Sequence, residues 1–369
     1  MKAEKKSKIL FVVPSFSGGG AERVVSVLAS SLAEKGIDTH CIVYYQAKNE
    51  YPHSEKIQKV YLVDNGEEAY KALGMKQKVK MLRKLINNIK PTYIIPFLPQ
   101  VGFHVYLATF GKRYKVIQTV RNNPKTDPES SFERLIRNFM IAFSWRSFVQ
   151  NKDQMAYFPK FLRRKMVIIP NPVADVYLAA NHLYRDEVRE VIAMGRLSEQ
   201  KNFDLIIRAA VAVRENHPQI HFSIYGEGAL QQDLQKKIED NHLTDVVKLC
   251  GRTTDPAGVL NASDVFVLSS NYEGMPNALM EAMAVGLPCI STDCPTGPSD
   301  IITNNVNGML IPVNDDNELV DAINKYVAYG REIHKIGKRA KEYIRDHYSS
   351  DVIADLFLRE ALLIDNTKN

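Results

Sequence analysis

Residues 265–284 read VFVLSSNYEGMPNALMEAMA and pass from an apolar run to a helical pattern through one short loop. The run Val265–Leu268 has the length and composition of a buried strand. Pro276 suits the first turn of a helix, and the residues after it continue the helical pattern. We therefore expect Glu273 in the loop and Glu281 in the first turn of the helix. Both carboxylates can then face one pocket at the carboxyl edge of a sheet.

The same alternation of apolar runs and helical patterns extends along the chain. Further strands are predicted at Ile9–Val13, Cys41–Tyr45, Val191–Met194, Phe222–Tyr225 and Val246–Leu249. Strands that alternate with helices predict βαβ units, so the fold class is α/β with parallel sheets. Pro170-Asn171-Pro172 and a polar stretch to about Asp186 separate two such series. We therefore predict one domain at residues 1–172 and a second at 187–351, with an amphipathic C-terminal helix at 352–369 that packs back on the first domain.

The composition is that of an ordinary soluble protein. The 369 residues are 45% hydrophobic and 24% charged, and the four cysteines form no C-x-x-C pair, so we expect buried thiols in a reducing compartment. The apolar run near the N-terminus is too short for a signal peptide. Residues 92–111 carry no charge, but two prolines favour a strand, a turn and a helix over a membrane span. We expect a cytoplasmic protein.

Charge is divided unevenly between the two halves. Residues 1–175 hold 29 Lys and Arg against 14 Asp and Glu, a net of +15, whereas the remainder has a net of −9. A basic half suggests an anionic partner, such as nucleic acid, an anionic membrane or a phosphorylated substrate. No recognition module for nucleic acid is apparent, so we do not expect that partner.

Glycines follow two of the predicted strands. Gly18, Gly19 and Gly20 stand between the first strand and its helix, where they would let an anion approach the helix N-terminus or would simply form a flexible turn. Spacing alone does not decide between these interpretations. Gly226 also follows a predicted strand, so the same two interpretations apply to it, although the sequence signal is weaker there.

Two cations follow the strand at Val191–Met194. Arg196 and Lys201 would stand where open α/β sheets bind ligands, and their charges would suit a pyrophosphate. The alternative is a solvated loop, which spacing alone favours. For Glu273 and Glu281 the alternatives are binding to sugar hydroxyls or a surface position with Glu281 as a helix-dipole partner.

Several catalytic motifs do not occur in the sequence. There is no D-x-D, H-E-x-x-H, G-x-x-x-x-G-K-[ST] or G-x-S-x-G. We therefore expect no metal and no resident cofactor. The adjacent Asp315 and Asp316 are better interpreted as a helix cap than as metal ligands.

Taken in order, these elements resemble the family 4 glycosyltransferases, which have the GT-B architecture of two Rossmann-like domains facing each other across a cleft. The resemblance covers nearly the whole chain and is strongest from Val191 to Pro312. Glu273 and Glu281 match the spacing of the family's Glu-x7-Glu motif, and Gly297–Ile302 followed by Asn307-Gly308 looks like its C-terminal signature.

The resemblance implies a role for each of these residues. Arg196 and Lys201 would neutralise the leaving diphosphate of a nucleotide sugar in place of a metal, and with Glu273 beside the donor sugar they would be the catalytic residues. Glu281 would accept hydrogen bonds from the ribose hydroxyls. The backbone that would hold the sugar and phosphate belongs to Gly274, Met275, Pro276, Asn277 and Ala278, with Gly18, Gly19, Gly20 and Gly226 as further donor-binding residues. Retention of anomeric configuration is also implied.

On the acceptor side the sequence departs from the family. Phe97 and Leu98 stand where a histidine is common, and His104 lies on a helical pattern that favours packing. Arg121 and Asn122, which follow another strand, are the better acceptor-side candidates.

The resemblance implies a transferase that uses a UDP-sugar (UDP-Gal, UDP-GalNAc or UDP-GlcNAc) and a lipid-linked glycan acceptor in surface polysaccharide or glycan biosynthesis. The alternatives are a sugar-nucleotide epimerase and a non-catalytic subunit that binds a partner. Two basic helical segments, one with an apolar stripe from Val79 to Ile89 and one from Phe132 to Arg146, are either core helices with solvated faces or a surface that docks on anionic lipid at the inner membrane face.

Overall fold

The computed structural model describes residues 7–362, and the chain divides into two compact units. The first unit comprises Met1–Pro172 and Ser350–Asn369, and the second comprises Val173–Ser349. Residues 363–369 of the predicted C-terminal helix lie outside the described part. Each unit is built around one parallel sheet, as the alternation of strands and helices predicts.

Among its described residues, the first unit contains seven strands and, in its N-terminal part, seven helices. The strands are β1 (Lys8–Val13), β2 (Asp38–Tyr45), β3 (Gln58–Val63), β4 (Tyr93–Pro96), β5 (Lys115–Thr119), β6 (Arg146–Val149) and β7 (Met166–Ile168). The helices are α1 (Gly20–Glu34), α2 (Gly66–Ala72), α3 (Met75–Ile89), α4 (Pro99–Thr109), α5 (Ser131–Phe143), α6 (Lys152–Tyr157) and α7 (Lys160–Arg163). The sheet order is β3-β2-β1-β4-β5-β6-β7.

The second unit contains six strands and eight helices, and a 3-10 turn at Gly330–Glu332 joins the last two of these helices. The strands are β8 (Glu190–Met194), β9 (His221–Tyr225), β10 (Val247–Gly251), β11 (Val265–Leu268), β12 (Cys289–Thr292) and β13 (Met309–Ile311). The helices are α8 (Asp175–Ala179), α9 (Phe203–Asn216), α10 (Gln231–Asp240), α11 (Pro256–Asn261), α12 (Asn277–Val285), α13 (Pro298–Ile301), α14 (Asp316–Tyr329) and α15 (Ile333–Tyr348). The sheet order is β10-β9-β8-β11-β12-β13.

The last helix, α16 (Ser350–Leu362), belongs to the first unit. The ring of Phe357 lies 6.2 Å from that of Phe11 on β1 and 5.5 Å from that of Phe148 on β6. Lys35, just after α1, forms ion pairs with Asp351 and Asp355 of α16. Apolar and charged contacts of this kind are what an amphipathic helix makes on a core.

The boundary between the units differs from the sequence-based one. Residues 173–186, expected as a polar connection, lie in the second unit. Val173 and Tyr177 are buried in the core of this unit, because two apolar side chains within a polar stretch are enough to pack a short helix.

The uncharged stretch at residues 92–111 forms strand β4 and helix α4, as predicted. Among the described residues, no helix is both long and apolar enough to cross a membrane. The cysteines are all free thiols, and Cys250 is only half-buried, contrary to the expectation that all of them are buried.

Candidate active site

The second sheet has a topological switch point, where the strand order reverses. Across the sheet its six strands lie in the order 3-2-1-4-5-6, counted along the chain, so the first strand, β8, lies beside the fourth, β11. Ligands of open α/β sheets bind at the carboxyl ends of such neighbouring strands. The loop after β8 carries Arg196 and Lys201, and the loop after β11 carries Glu273. The fold therefore brings these three predicted residues to one edge of one sheet.

Lys201 and Glu273 form an ion pair between these two loops. Lys201 Nζ lies 2.5 Å from Glu273 Oε1, and the side chains are 17% and 7% exposed. Ser270 Oγ donates to the same carboxylate oxygen at 2.6 Å, and Gln200 Nε2 lies 3.5 Å from the other oxygen. The carboxylate is thus buried with a cation and two neutral donors around it, which is how a buried charge is tolerated.

Gly195, which precedes Arg196, leaves room for the side chain of Lys201. A Cβ atom on Gly195 would lie 3.1 Å from both Cδ and Cε of Lys201, so the lysine stem runs directly over the Gly195 backbone. Ser269 Oγ also donates to the Lys201 carbonyl oxygen at 2.7 Å. These contacts hold the lysine between the ends of β8 and β11.

Gly226 and Gly228 allow the loops after β8 and β9 to touch. Gly226 has a φ of +145°, and a Cβ there would lie 1.8 Å from the Gly195 carbonyl oxygen. A Cβ on Gly228 would lie 2.2 Å from the Leu197 carbonyl oxygen. Both neighbours are backbone, which cannot move aside, so these positions need glycine for packing. This packing accounts for the glycine at position 226, and its binding of the donor stays a prediction.

Arg196 differs from Lys201 in its surroundings. Its side chain is exposed, and within residues 7–362 it forms no hydrogen bond or ion pair. A guanidinium in this position offers its full fork of N–H donors to an oxyanion.

Glu281 lies deeper in its helix than expected. Pro276 has a non-helical ψ of 89° and stands at the N-cap of α12, so the helix begins at Asn277 and Glu281 is its fifth residue. The prediction of a first-turn position is therefore wrong. The macrodipole acts within the first turn, which weakens the interpretation of Glu281 as a dipole partner. Glu281 is only 5% exposed, so it is not a surface carboxylate either.

The loop that joins Glu273 to α12 is held from the side of β12. The Glu273 N–H donates to the Pro295 carbonyl oxygen at 3.2 Å, and Thr296 Oγ1 donates to the Glu273 carbonyl oxygen. A Cβ on Gly297 would lie 2.7 Å from Pro276 Cδ. Gly274, Met275 and Pro276 are buried, whereas Asn277 and Ala278 are half-buried at the start of the helix.

Two features near this site were outside the sequence-based prediction. Ser270 and Gln200 contact the Glu273 carboxylate, and the signal that could have identified Ser270 is its position directly after a buried strand. Burial, and then the charge of Glu273, raise the pKa of the nearby Cys294 to about 12. This thiol therefore stays protonated at neutral pH and is not a nucleophile.

Asp315 is the N-cap of α14, and its side chain accepts a hydrogen bond from the Glu318 N–H at 3.1 Å. The cap prediction is confirmed. Within residues 7–362 there is no group of three or more His, Cys, Asp or Glu side chains that could hold a metal ion.

In the first unit, the glycine turn stands between β1 and α1 as predicted. Gly18 has a φ of +95°, Gly19 is the N-cap, and Gly20 begins the helix. A Cβ on Gly19 would lie 2.3 Å from Glu22 Oε2, so the Glu22 carboxylate folds back over the turn. A carboxylate already stands at this helix end, which favours a structural role; donor binding by this turn stays a prediction.

Arg121 lies just beyond β5 with its guanidinium over the Phe97 ring, 4.5 Å from the centroid. Its Nη1 donates to Asn171 Oδ1 at 3.2 Å, while the buried Nε and Nη2 have no hydrogen-bond partner in the described part of the chain. Burial lowers the pKa of Arg121 to about 9, which leaves it a cation at neutral pH. Nε and Nη2 form the edge that binds two oxygens of an anion. Asn122 uses its side chain locally, as an acceptor for the Asn123 N–H.

His104 faces the core rather than the sheet edge. It lies inside α4, is 1% exposed, and its Nδ1 is 3.0 Å from the Tyr44 hydroxyl on β2. Burial lowers its pKa, so the ring is neutral at pH 7. This environment is that of a packed histidine.

The two parallel sheets, one in each unit, give the chain the GT-B fold of two Rossmann-like units. Residues 179–343, a little under half of the chain, match the family described as glycosyl transferases group 1. Among solved structures, an S. aureus TarM variant in complex with Fondaparinux, alpha-GlcNAc-glycerol and UDP is similar with a TM-score of 0.80 and 18% identity, covering 95% of this chain and 99% of that one. Sucrose-phosphate synthase from Thermosynechococcus elongatus has a TM-score of 0.81 and 17% identity over 98% of this chain and all of that one.

Curated relatives carry glycosyltransferase names. An uncharacterized glycosyltransferase of Methanocaldococcus jannaschii is 30% identical over 63% of this chain and 63% of its own length. The UDP-Gal:alpha-D-GlcNAc-diphosphoundecaprenol alpha-1,3-galactosyltransferase of Escherichia coli is 32% identical over 53% of this chain and 54% of its own length. A Campylobacter jejuni alpha-1,4-N-acetyl-D-galactosaminyltransferase, whose name specifies an undecaprenol-linked substrate, is 23% identical over 84% of this chain and 86% of its own length. The chain thus spans less than two thirds of the length of the first two relatives and most of the third.

Proposed function

We propose that this protein is a retaining, metal-independent glycosyltransferase that moves a sugar from a UDP-sugar to a lipid-linked glycan. The observation that carries the proposal is the group formed by Arg196, Lys201 and Glu273 at the carboxyl ends of β8 and β11. Two cations and a fixed carboxylate at this point suit a ligand that has a diphosphate next to a sugar.

In the proposed reaction, the bond between the anomeric carbon and the β-phosphate oxygen breaks, and its electron pair stays on the departing UDP. Arg196 and Lys201 stabilise the negative charge that develops on the diphosphate. An acceptor hydroxyl oxygen bonds to the anomeric carbon on the face that the diphosphate leaves, and its proton passes to the departing phosphate. The anomeric configuration is then retained.

Glu273 would orient the donor sugar rather than attack it. Its carboxylate is tied to Lys201 Nζ and Ser270 Oγ through the same oxygen, Oε1. Oε2 has only the long contact to Gln200 and can accept a hydrogen bond from a sugar hydroxyl. In this proposal the buried Glu281 accepts from the ribose hydroxyls, as the resemblance implies.

The choice of UDP-Gal, UDP-GalNAc or UDP-GlcNAc as donor rests on the relatives. The E. coli relative is named for UDP-Gal, and the C. jejuni relative for transfer of N-acetylgalactosamine. Their names also specify diphosphoundecaprenol or undecaprenol-linked substrates, which supports a lipid-linked acceptor for this chain. We include in the proposal a cytoplasmic location at an anionic inner membrane face, where an enzyme would meet an acceptor of this kind.

For the acceptor side we propose Arg121. Its unpaired Nε and Nη2 edge would bind an oxyanion of the acceptor, such as a phosphate of the lipid linkage. Within residues 7–362 Arg121 forms no ion pair, so no protein carboxylate occupies this edge.

The test is a thermal-shift screen of UDP, GDP, CDP and ADP, followed by product analysis with each UDP-sugar. A ligand at a hundred times its dissociation constant should add about 2.7 kcal/mol to the free energy of unfolding, and UDP should give the largest shift. Mass spectrometry should then detect an extended polyprenyl-diphosphate glycan. An epimerase would convert the donor without any acceptor, and a non-catalytic subunit would form no product with any pair; either result would overturn the proposal.

A further inference from the structure

Helix α5 has an apolar stripe on its solvent side. Phe132, Leu135, Phe139 and Phe143 are 69%, 65%, 49% and 68% exposed. Their spacing places them on one face of the helix, over about 16 Å of its length. The opposite face is already packed, with Met140 and Ile141 buried. The stripe is therefore a second apolar face that the unit's own core does not use.

Neighbouring aromatic residues extend this stripe. The Phe139 ring lies 4.5 Å from that of Phe143 and 6.0 Å from that of Tyr106 on α4. Tyr106 in turn lies 6.2 Å from Phe110, which is 69% exposed at the end of α4. Single exposed apolar side chains are normal on protein surfaces, but a contiguous patch of this kind marks an interaction site.

Helix α7, which packs beside α5, adds Phe161, which is 66% exposed. Exposed cations stand next to these aromatic residues along the chain. Lys112 and Arg113 follow Phe110, and Lys160, Arg163 and Arg164 surround Phe161. An apolar centre with cations beside it is the composition of a surface that lies in a membrane interface.

The sequence on either side of α5 is strongly basic, whereas residues 127–153, which include α5, hold four Lys and Arg and four Asp and Glu. Residues 69–126 contain 12 Lys and Arg and no Asp or Glu, and residues 154–174 contain four Lys and Arg and no acid. Two copies of such a surface would bring like charges together, which disfavours a dimer. An anionic lipid surface attracts each of these cations while it accepts the apolar side chains.

We propose that the α5 stripe, with Phe110 and Phe161, inserts into the interfacial layer of an anionic membrane. This inference extends the membrane location given in the proposed function, but it does not depend on donor binding or catalysis. The proposal assigns membrane contact to α5 and not to the other basic helix, α3. On α3 the apolar residues pack in the core of the unit, where Leu82 and Ile86 are each 1% exposed.

The first test is co-sedimentation of the full chain with vesicles of phosphatidylcholine alone or with phosphatidylglycerol added. We expect binding only when the anionic lipid is present. The triple variant Phe132→Ser, Phe139→Ser, Phe143→Ser should reduce partitioning at least tenfold, with an unchanged melting temperature. The matched control is Leu183→Ser, Val211→Ser in the second unit, where both side chains are also exposed, and it should bind as the wild type does.

A second measurement detects insertion directly. Trp145 is the only tryptophan in the chain, so Trp145→Phe provides a silent background. In that background a tryptophan introduced by Phe139→Trp should be quenched by brominated lipid, whereas one introduced by Leu183→Trp should not.

Equal binding by the triple variant, or an unquenched tryptophan at position 139, would overturn the proposal. So would sedimentation equilibrium that shows a dimer lost in the triple variant without vesicle binding, since the stripe would then be an interface between copies. All these measurements omit donor and acceptor, so their failure is distinguishable from failure of the proposed transferase function.

Discussion

Lys201 and Glu273 are joined by an ion pair of 2.5 Å that connects the loop after β8 to the loop after β11. The two residues are 72 positions apart in sequence, and the Glu273 side chain is nearly inaccessible to solvent. Arg196, only five residues before Lys201, is exposed and forms no such pair within residues 7–362. The two cations of the proposed diphosphate site therefore have different structural roles, and their substitutions should have different consequences.

Replacement of either cation should lower turnover strongly. Arg196→Ala and Lys201→Ala each remove charge that would stabilise the departing diphosphate, an effect of about 3 kcal/mol, or roughly a hundredfold in kcat. Lys201→Ala should also lower the melting temperature, because it leaves the buried Glu273 carboxylate without its cation. Arg196→Ala should leave the melting temperature unchanged.

Steady-state kinetics and thermal unfolding of both variants check this prediction. Lys236→Ala, which removes an exposed cation on α10, is the control and should match the wild type in both measurements. Near-wild-type turnover in both folded variants would refute the diphosphate assignment.

Glu281→Gln should weaken UDP binding about ten- to hundredfold. The substitution keeps the shape but replaces an acceptor-only carboxylate with an amide, and the loss of charge-assisted hydrogen bonds to a ribose costs roughly 1.5–3 kcal/mol. Calorimetric titration with UDP measures this, together with the melting temperature without ligand. Glu318→Gln, at an exposed first-turn position of α14, is the matched control and should leave UDP affinity unchanged. Unchanged affinity in Glu281→Gln would remove Glu281 from the donor site.

Exhaustive treatment with EDTA should leave activity intact. In the proposed mechanism Arg196 and Lys201 supply the positive charge that a divalent cation supplies elsewhere. The measurement is the initial rate before and after chelation, and again after Mg²⁺ or Mn²⁺ is added back. Activity that disappears with EDTA and returns only with the metal would contradict the cationic-pair mechanism.

His104 should make the stability of the first unit depend on pH. Burial lowers the pKa of His104 in the folded state below its ordinary value of 6.5, with a smaller effect from the charge of Lys78. The unfolded chain then binds a proton more readily, so this contribution to stability is complete above about pH 6.5 and is lost as the pH falls from there through the lower folded-state pKa. Urea unfolding at pH 7.5 and 5.5 should show a smaller decrease for His104→Gln than for the wild type. An identical decrease would mean that His104 does not titrate on unfolding.

Much of the architecture could be predicted from local sequence pattern. The apolar runs at Val191–Met194 and Val265–Leu268 form strands, and the glycine turn at Gly18–Gly20 leads into α1, because these signals act over a few neighbouring residues. The positions of Arg196 and Glu273 directly after strands follow from the same patterns, since parallel strands end at one edge of a sheet.

The start of α12 could not be predicted as reliably. Pro276 is compatible with the first helical turn, yet its ψ of 89° makes it the N-cap and moves Glu281 into the second turn. A Cβ on Gly297 would come within 2.7 Å of Pro276 Cδ, so a loop after another strand packs against this cap. The cap therefore depends on a contact that local propensity does not contain.

By itself the sequence determined the βα units, the chemistry available at each strand end and the presence of two amphipathic basic helices. Only the tertiary structure decided that Lys201 pairs with Glu273, and that Gly226 must be glycine because the Gly195 carbonyl oxygen lies against it. It also decided that the apolar residues of α3, including Leu82, enter the core, while Phe139 on α5 faces outward. The physical reason is the same in each case: periodicity defines an apolar face, but burial depends on which distant residues pack against it.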